Sequence, residues 1–331
     1  MIWELIARLP DWPEDARVEI PETRYARSSD GSFIAYQVFG DGPVDLLWIS
    51  PWFSDLEVLW EYEPVARFHR EIAGFARLIL MDQRGVGLSD RSRGFPDLET
   101  RMDDLRAVLD AAGSGQTVLW GAGPDGGALC AMFAATYPDR VSVLAFWNAR
   151  AKSLSSGDYV WGDDLAAQDA FRQSIEAGWG LEEHTAEIMR QMGAPSVAVD
   201  PAGVHWAARV CRRMGAPGDV LAFDSMWRRI DFRAVLPAVH VPTVAVYRAF
   251  PGGTGGNWSV RGPGWPDPRC QGGRASPGRV PTVGAQHAVG RGRRSGVRCR
   301  KGGGAGGVRT GPRHGRLHRH RGLDGGGCQA R

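Results

Sequence analysis

The chain has 331 residues and a formal net charge of only +3, but this near-neutral total hides a strong asymmetry. Residues 251–331 hold 16 of the 40 Lys and Arg, 2 of the 37 Asp and Glu and 24 of the 45 Gly, so this tail carries a net charge of +14 and residues 1–250 one of −11. The cysteines form no CxxC pair, the N-terminal residues form no signal-peptide core and no apolar run reaches the length of a membrane span. These features exclude the disulfide-rich secreted and membrane-spanning classes and favour a cytoplasmic location.

Residues 24–150, which follow an N-terminal leader over 1–23, alternate between strand and helix patterns. Residues 28–50 start as a hairpin pattern, and continuous apolar runs then indicate strands buried on both faces. The predicted strands lie over 44–50, 77–82, 116–123 and 141–149, and the predicted helices over 64–76, 98–113 and 128–140. The first of these helices places Phe75 on its apolar face. Because the links are short, this order predicts a mainly parallel, doubly wound α/β sheet.

Residues 151–235 are richer in Trp, Met and charge, and their pattern predicts a helical lid before the chain returns to the sheet over 236–250. The predicted lid helices lie over 163–179, 182–193, 204–215 and 219–236. Trp161, Trp179 and Trp206 belong to this region. Such aromatic residues are typical of a packed core, and they would also suit a pocket for a small apolar ligand.

The segment DQRGVGLSD, residues 82–90, resembles the D-x-R-G-x-G-x-S turn of the α/β-hydrolase family. The positions of this motif are Asp82, Arg84, Gly85, Gly87 and Ser89. The glycine-rich segment before YPDRV and the return VLPAVHVPTVAVYR extend the likeness over 24–248. The resemblance implies the α/β-hydrolase fold with a helical lid, its C-terminal strands missing from this sequence. It also implies that Asp82 is a structural residue that accepts hydrogen bonds from turn amides.

Residues 118–127, VLWGAGPDGG, form the strand, turn and helix pattern on which that family carries its nucleophile. The positions of this elbow are Gly121, Gly123, Pro124, Gly126 and Gly127. The nucleophile position falls on Gly123 when the segment is aligned from the strand and on Pro124 when it is aligned from the helix. Neither residue has a nucleophilic side chain, and proline also lacks the N–H that an oxyanion needs. The sequence therefore predicts an inactive elbow.

Asp125 is the candidate replacement for the missing serine, because an aspartate nucleophile serves the dehalogenase and epoxide-hydrolase branches of the family. The other interpretation, which we favour, is that Asp125 caps the start of the helix. An attacking group needs a base, and only His287 follows the sheet at a position that could correspond to the family's histidine. His69 sits on a charged helix face, and we interpret it, like His184 and His205 of the lid, as a surface or lining residue and not as a base.

The loop after the first buried strand, SPWF at residues 50–53, holds Pro51 and Trp52 where the family places an oxyanion amide. Because proline has no amide hydrogen, the loop is a poor donor at Pro51. The sequence contains no motif for a metal or a cofactor, so we predict neither.

Within the family, the segments TRYARSSDGSFIAYQVFGDGPVDLLWIS and FAATYPDRV most resemble an actinobacterial subgroup fused to class III adenylate/guanylate cyclase domains. The tail, residues 251–331, loses hydrophobic periodicity and has the composition of a disordered, low-complexity segment. Its end, RHGRLHRHRGLDGGGCQA, can be back-translated to DNA whose next frame encodes GTVDFTDIVGSTEAAAK, which resembles the start of a cyclase domain. We therefore expect that a frameshift near residues 249–256 ended the hydrolase-like sequence.

Three functional hypotheses follow from these features. The favoured one is a catalytically inactive α/β-hydrolase domain of a cyclase-type protein, with a regulatory or ligand-sensing role. The second is an active hydrolase that uses Asp125 on esters, epoxides or haloalkanes. The third is nucleic-acid binding by the basic tail, which is disfavoured because Trp258 and Trp265 are its only aromatic residues for stacking.

Overall fold

The structure, a computed structural model, describes residues 20–50, 52–91 and 96–246. Within these residues seven strands form one sheet, in the order β1-β2-β4-β3-β5-β6-β7. The strands are β1 Arg24–Arg27, β2 Phe33–Phe39, β3 Asp45–Ile49, β4 Arg77–Met81, β5 Thr117–Ala122, β6 Val141–Trp147 and β7 Thr243–Val246. The pairs from β4 through β3, β5 and β6 to β7 are all parallel, whereas β2 is antiparallel to both of its neighbours. The predicted mainly parallel α/β sheet is confirmed.

The helices of the described residues fall into a core set and a set inserted between β6 and β7. The core helices are α1 Glu63–Ala73, α2 Leu98–Ala111 and α3 Gly123–Thr136. The inserted helices are α4 Leu165–Gly178, α5 Glu182–Gln191, α6 Pro195–Val199, α7 Pro201–Met214 and α8 Pro217–Trp227. We call residues 165–227 the cap; they occupy the region where the sequence predicts a helical lid.

Alternating residues of β3 explain how the core divides between the two faces of the sheet. Leu46 and Trp48 pack with α1 and the cap on one face. Leu47 and Ile49 pack with α2 and α3 on the other. Both sets are buried, which is why β3 is a continuous apolar run rather than an alternating one. The carboxyl end of β3 therefore lies between the cap, on one face of the sheet, and α3, the helix that follows β5, on the other.

Three details differ from the sequence-based expectations. Helix α1 ends at Ala73 with Gly74 as its cap, so Phe75 lies beyond the helix and is 55% exposed instead of buried. Helix α3 starts at Gly123, five residues before the predicted start, because Pro124 fits the first turn of a helix. The last predicted cap helix stops at Trp227 and a short turn at Leu236–Ala238 follows.

The cap tryptophans pack as core. Trp179 and Trp206 are both buried, and the indole N–H of Trp206 donates to the Val58 carbonyl at 2.8 Å. The indole N–H of Trp179 donates to the Cys211 carbonyl at 2.9 Å. Trp161, which precedes the cap, is half-buried against Tyr159, with 5.3 Å between the ring centroids. Trp179 and Trp206 therefore hold the cap together and join it to the core.

None of the helices in the described part of the chain is long and apolar enough to cross a bilayer. The predictions for the leader 1–19 and for residues 247–331, including the tail and the missing strands, lie outside the described residues.

Candidate functional site: the corner after strand β5

The backbone makes a sharp corner at the carboxyl end of β5, and Gly123 lies at its tip. Gly123 has φ of +67°, a left-handed conformation that side chains other than glycine adopt only with strain. A Cβ placed on Gly123 would meet no atom of the described residues within 4 Å. Gly123, rather than Pro124, therefore occupies the position and the backbone geometry of a nucleophile elbow.

Close packing between β5 and α3 fixes the corner. A Cβ on Gly121 would lie 2.4 Å from the carbonyl oxygen of Gly126, and a Cβ on Gly127 would lie 2.7 Å from the Cβ of Ala149. Both distances are too short for a side chain, so the start of α3 can approach the strands only because these positions are glycines. The flanking glycines give the corner its shape even though its tip has no side chain.

The groups that acyl transfer requires are absent from this corner. Gly123 offers no oxygen or sulfur atom for attack. Pro124, the next residue, has no N–H, and this is the residue whose amide normally forms half of the oxyanion hole. The structure thus presents the backbone of an elbow without the attacking atom and without one of the two amide donors.

Asp125 lies in the first turn of α3, only 2% exposed, and its carboxylate is held in a buried ion pair. Arg101 of α2, also 2% exposed, binds it with Nη1 to Oδ1 at 2.7 Å and Nη2 to Oδ2 at 2.9 Å. Gln83 Nε2 donates to Oδ2 at 3.2 Å, and Arg101 also donates to Gln83 Oε1. This environment favours the interpretation that Asp125 anchors the corner, because a carboxylate held by an arginine is a weakened nucleophile and points into the protein.

The sequence analysis did not single out Arg101 or Gln83, which complete this cluster. Arg101 stands four residues before Leu105 and seven before Val108, so it lies on the same helical face as those buried leucine and valine side chains. A charged residue on an apolar face is a signal for a buried partner, and the buried acid of the elbow is that partner.

Asp82, at the end of β4, joins the turn after β4 to the loop after β3. Its fully buried carboxylate accepts hydrogen bonds from the Leu88 amide at 2.8 Å, from the Leu56 amide at 3.2 Å and from the Ser54 hydroxyl. Burial raises the pKa of Asp82 to about 6, and the negative charge of Asp55 contributes in the same direction, against the opposing effect of the three hydrogen bonds. The carboxylate is used for structure and points away from solvent.

Gln83 and Arg84, the two residues after Asp82, bind other segments of the chain through hydrogen bonds and ion pairs. Gln83 donates to the Ser50 carbonyl at 3.0 Å as well as to Asp125. Arg84 forms a buried ion pair with Asp104 of α2, with 2.9 Å from Nε to Oδ2, and a second ion pair with Asp30. The resulting network ties the turn to the β3 loop, to α2 and, through Asp125, to the corner.

The remaining residues of this turn close it. The Ser89 hydroxyl donates to the carbonyl oxygen of Asp82 and accepts from the Ala35 amide at 2.9 Å. Gly85 and Gly87 have φ of +84° and +55°. The turn is therefore a structural unit in which each motif residue has a backbone or hydrogen-bonding role.

Trp52, in the loop after β3, is buried against the cap. Its ring stacks on Trp179 with 5.6 Å between centroids and packs on Phe223 at 5.1 Å. Only 8% of Trp52 is exposed, so this side chain closes the cap over the carboxyl end of β3. Pro51, the other predicted oxyanion residue, lies outside the described residues.

The contacts given for His69, His184 and His205 do not involve the corner. His69 is buried, which excludes the surface position that was one of its two interpretations: it packs between Trp60 and Phe68, and burial lowers its pKa to about 3. His184 and His205 lie on the cap surface beside Glu183 and Glu182. His287 lies outside the described residues.

A family model described as alpha/beta hydrolase fold matches residues 65–186. Among solved structures, a bromoperoxidase from Bacillus anthracis is 21% identical with a TM-score of 0.56, over 68% of this chain and 81% of that one. The esterase EaEST from Exiguobacterium antarcticum is 19% identical with a TM-score of 0.54, over 68% and 80%. The esterase RhEst1 from Rhodococcus sp. ECU1013 is 22% identical with a TM-score of 0.52, also over 68% and 80%. A comparison with curated proteins finds no match.

Proposed function

We propose that this chain, which has the α/β-hydrolase fold predicted from its sequence, is a catalytically silent scaffold that binds a small molecule without hydrolysing it. The observation that carries the proposal is the corner at Gly123 and Pro124, where the backbone of an elbow lacks both an attacking atom and an amide donor. The similar esterases and the bromoperoxidase are too distant in sequence to bring their activities to this chain, and they support the fold alone.

The expected loss of catalytic rate shows whether weak catalysis could remain. In a serine hydrolase, removal of the nucleophile costs about 10⁶-fold in kcat, and removal of one oxyanion donor costs about 10²–10³-fold. Without the nucleophile, such an enzyme keeps a residual acceleration of about 10³–10⁴-fold over water, which comes from the oxyanion hole and from binding. Loss of an oxyanion donor as well removes about 10²–10³-fold of this, so the two losses together bring the rate close to that of the uncatalysed reaction.

The test uses the purified full chain, a panel of p-nitrophenyl esters from acetate to octanoate, and a fluorophosphonate probe that labels activated serines. We expect no turnover above the buffer rate and no covalently labelled serine in any peptide of the chain. Saturable ester turnover together with a labelled serine would refute a silent scaffold.

The alternative hydrolase, with Asp125 as nucleophile, makes a different prediction. It has one observation in its favour, since Asp125 is the only carboxylate in the first turn of α3. If the chain opens epoxides or dehalogenates haloalkanes, Asp125→Asn should abolish that turnover. Glu99→Gln, a change in the first turn of α2, should leave it unchanged. The ion pair with Arg101 is the reason why we place this hypothesis second.

We further propose that the silent scaffold derives from the hydrolase-like part of a cyclase-type protein, in which it had a regulatory or sensory role. It is supported by the resemblance of residues 24–90 to the cyclase-fused subgroup and by the alternative reading frame of residues 313–330. The nucleotide sequence across codons 245–331 tests it. A downstream frame that encodes FTDIVGST supports the proposal, and the absence of such a frame rejects it.

A further inference from the structure

A cavity of about 160 Å³ lies between the turn after β4 and the cap, and its wall does not include the corner residues Gly123, Pro124 or Asp125. The core contributes Trp52, Gly85 and Val86 to this wall, and the cap contributes Met214, Val220 and Phe223. Four of these side chains are less than 5% exposed, so the inner end of the cavity is formed by buried apolar groups.

Exposed residues stand at the other end of the cavity. Arg91, Gly218 and Asp219 line it and are each exposed, so a molecule can enter there from solvent. The cavity is therefore a cleft with an apolar inner end, and it is bounded on one side by the core and on the other by the cap.

The charged groups on this wall are already engaged by the protein. The Arg91 guanidinium donates to the carbonyl oxygens of Gly85 and Met214, each at 2.6 Å, and so ties the turn to the end of α7. Asp219 accepts from the Ala216 amide at 3.1 Å and caps α8. A charged ligand would have to compete with these bonds, whereas an uncharged ligand would leave them in place.

The volume limits what the cavity can hold. Drug-sized ligands occupy pockets of about 300–1,000 Å³, which excludes them here. A cavity of about 150 Å³ lined by apolar side chains is known to bind benzene. With Trp52 and Phe223 on the wall, an aromatic ring can also gain from ring-to-ring contact.

We propose that this cleft is the ligand site of the protein and that it takes a small uncharged molecule of the size of a single aromatic ring. The proposal rests on the binding role given above and specifies its site and ligand class. Because the wall is shared between core and cap, the bound molecule stabilises the docked position of the cap.

The test is calorimetric titration of the full chain with phenol and toluene, with benzoate as the charged analogue. Two filling substitutions add bulk to the wall of the cleft: Ala222→Leu extends a side chain of the wall, and Gly218→Leu adds one at the exposed end, where a Cβ meets no atom of the described residues within 4 Å. The matched control is Gly115→Leu, because Gly115 is also exposed with no atom within 4 Å of its Cβ but lies away from the cleft.

We expect saturable binding of phenol or toluene, and at least about tenfold weaker binding to Ala222→Leu and Gly218→Leu. Gly115→Leu should bind like the unsubstituted chain. The proposal fails if neither uncharged probe binds, if benzoate binds as tightly as phenol, or if both filling variants retain full affinity. Ester turnover is measured separately, so a hydrolytic activity would reject the silent scaffold without removing the binding site.

Discussion

The turn after β4 and the corner after β5 both depend on a glycine with a left-handed backbone, but the two glycines are required for different reasons. Gly87 in the turn has φ of +55°, and a Cβ there would lie 2.1 Å from Oδ2 of Asp82. Gly123 in the corner has φ of +67°, and a Cβ there would meet no atom within 4 Å in the part of the chain that the structure describes. The backbone strain is shared, whereas the steric conflict exists only in the turn.

The same left-handed glycine geometry therefore serves a structural role in the turn and is the geometry of a catalytic elbow in the corner. The polar side chains of the turn are hydrogen-bonded to neighbouring segments, so the turn contributes to the stability of the fold. Among the described residues, no atom stands where a side chain at the tip of the corner would project, which is what an elbow requires when it presents a nucleophile to a substrate. In this chain the space is present and the nucleophile is not.

The largest effect is expected from Arg101, which links the two regions through Gln83 and Asp125. Arg101→Met leaves Asp125 buried without its partner, and breaking a buried ion pair in this way costs about 3–5 kcal/mol of unfolding free energy. Urea denaturation measures the loss.

Two further variants show whether the pair itself is responsible. The double variant Arg101→Met/Asp125→Leu removes both charges and should recover much of the stability. Arg24→Ala breaks an exposed pair with Glu22 and should cost less than about 1 kcal/mol. Equal losses in Arg101→Met and Arg24→Ala would contradict a buried, tightly held Asp125.

Next in size is Gly87→Ala in the turn. The left-handed backbone costs about 1–2 kcal/mol for alanine, and the conflict with Asp82 adds about 1–3 kcal/mol, as overpacking does elsewhere. The control is Gly113→Ala, since Gly113 has φ of +65° with no atom within 4 Å of its Cβ. A Gly87→Ala variant no less stable than Gly113→Ala would show that the turn can move away from Asp82.

The sequence predicts the sheet well because the buried parallel strands are continuous apolar runs, and β3, β4, β5 and β6 all lie where those runs lie. It also predicts that the elbow segment lacks a nucleophile, since this depends only on residue type. It cannot decide between Gly123 and Pro124 as the tip of the corner, because both alignments satisfy the spacing. The positive φ of Gly123 identifies Gly123 as the tip, and this angle depends on how β5 and α3 pack.

Burial is the property that the sequence predicts least well here. Phe75 fits the apolar face of a helix, but the helix ends before it and the ring is exposed. His69 and Arg101 are polar residues on their helices, yet other segments bury both: Trp60 packs against His69, and Asp125 of the elbow binds Arg101. Helical spacing describes one element, whereas burial depends on what another element places against it.

A pH effect of intermediate size is expected from Asp82. Its pKa is raised by burial to about 6 in the folded protein, above the ordinary value of 3.8, so the folded state holds this proton more tightly than the unfolded state. The stability that protonation adds is therefore fully present below about pH 4 and is lost as the pH rises through 6, with an upper bound of about 3 kcal/mol.

Asp82→Asn tests this because the amide can accept from Leu56 and Leu88 and donate to the Ser54 hydroxyl. Urea denaturation between pH 4 and 7 should show that the variant gains stability relative to the unsubstituted chain as the pH rises. Parallel curves over this range would mean that Asp82 titrates at its ordinary pKa. Carboxylates elsewhere, such as Asp30 and Asp45 with lowered pKa values, are common to both proteins and cancel in the difference.

The smallest effect belongs to the corner itself. Gly123→Ala meets no atom within 4 Å, so only the left-handed backbone opposes it, and the reduced flexibility of the unfolded chain offsets part of that strain. We expect a loss of about 1 kcal/mol by urea denaturation, close to that of Gly113→Ala and well below that of Gly87→Ala. A loss as large as that of Gly87→Ala would mean that the space above Gly123 is filled in solution, so that the corner could not receive a substrate even if a nucleophile were added. A small loss of stability would show that the corner accepts a side chain. The lack of catalytic activity would then come from the identity of Gly123 and Pro124 and not from a closed site.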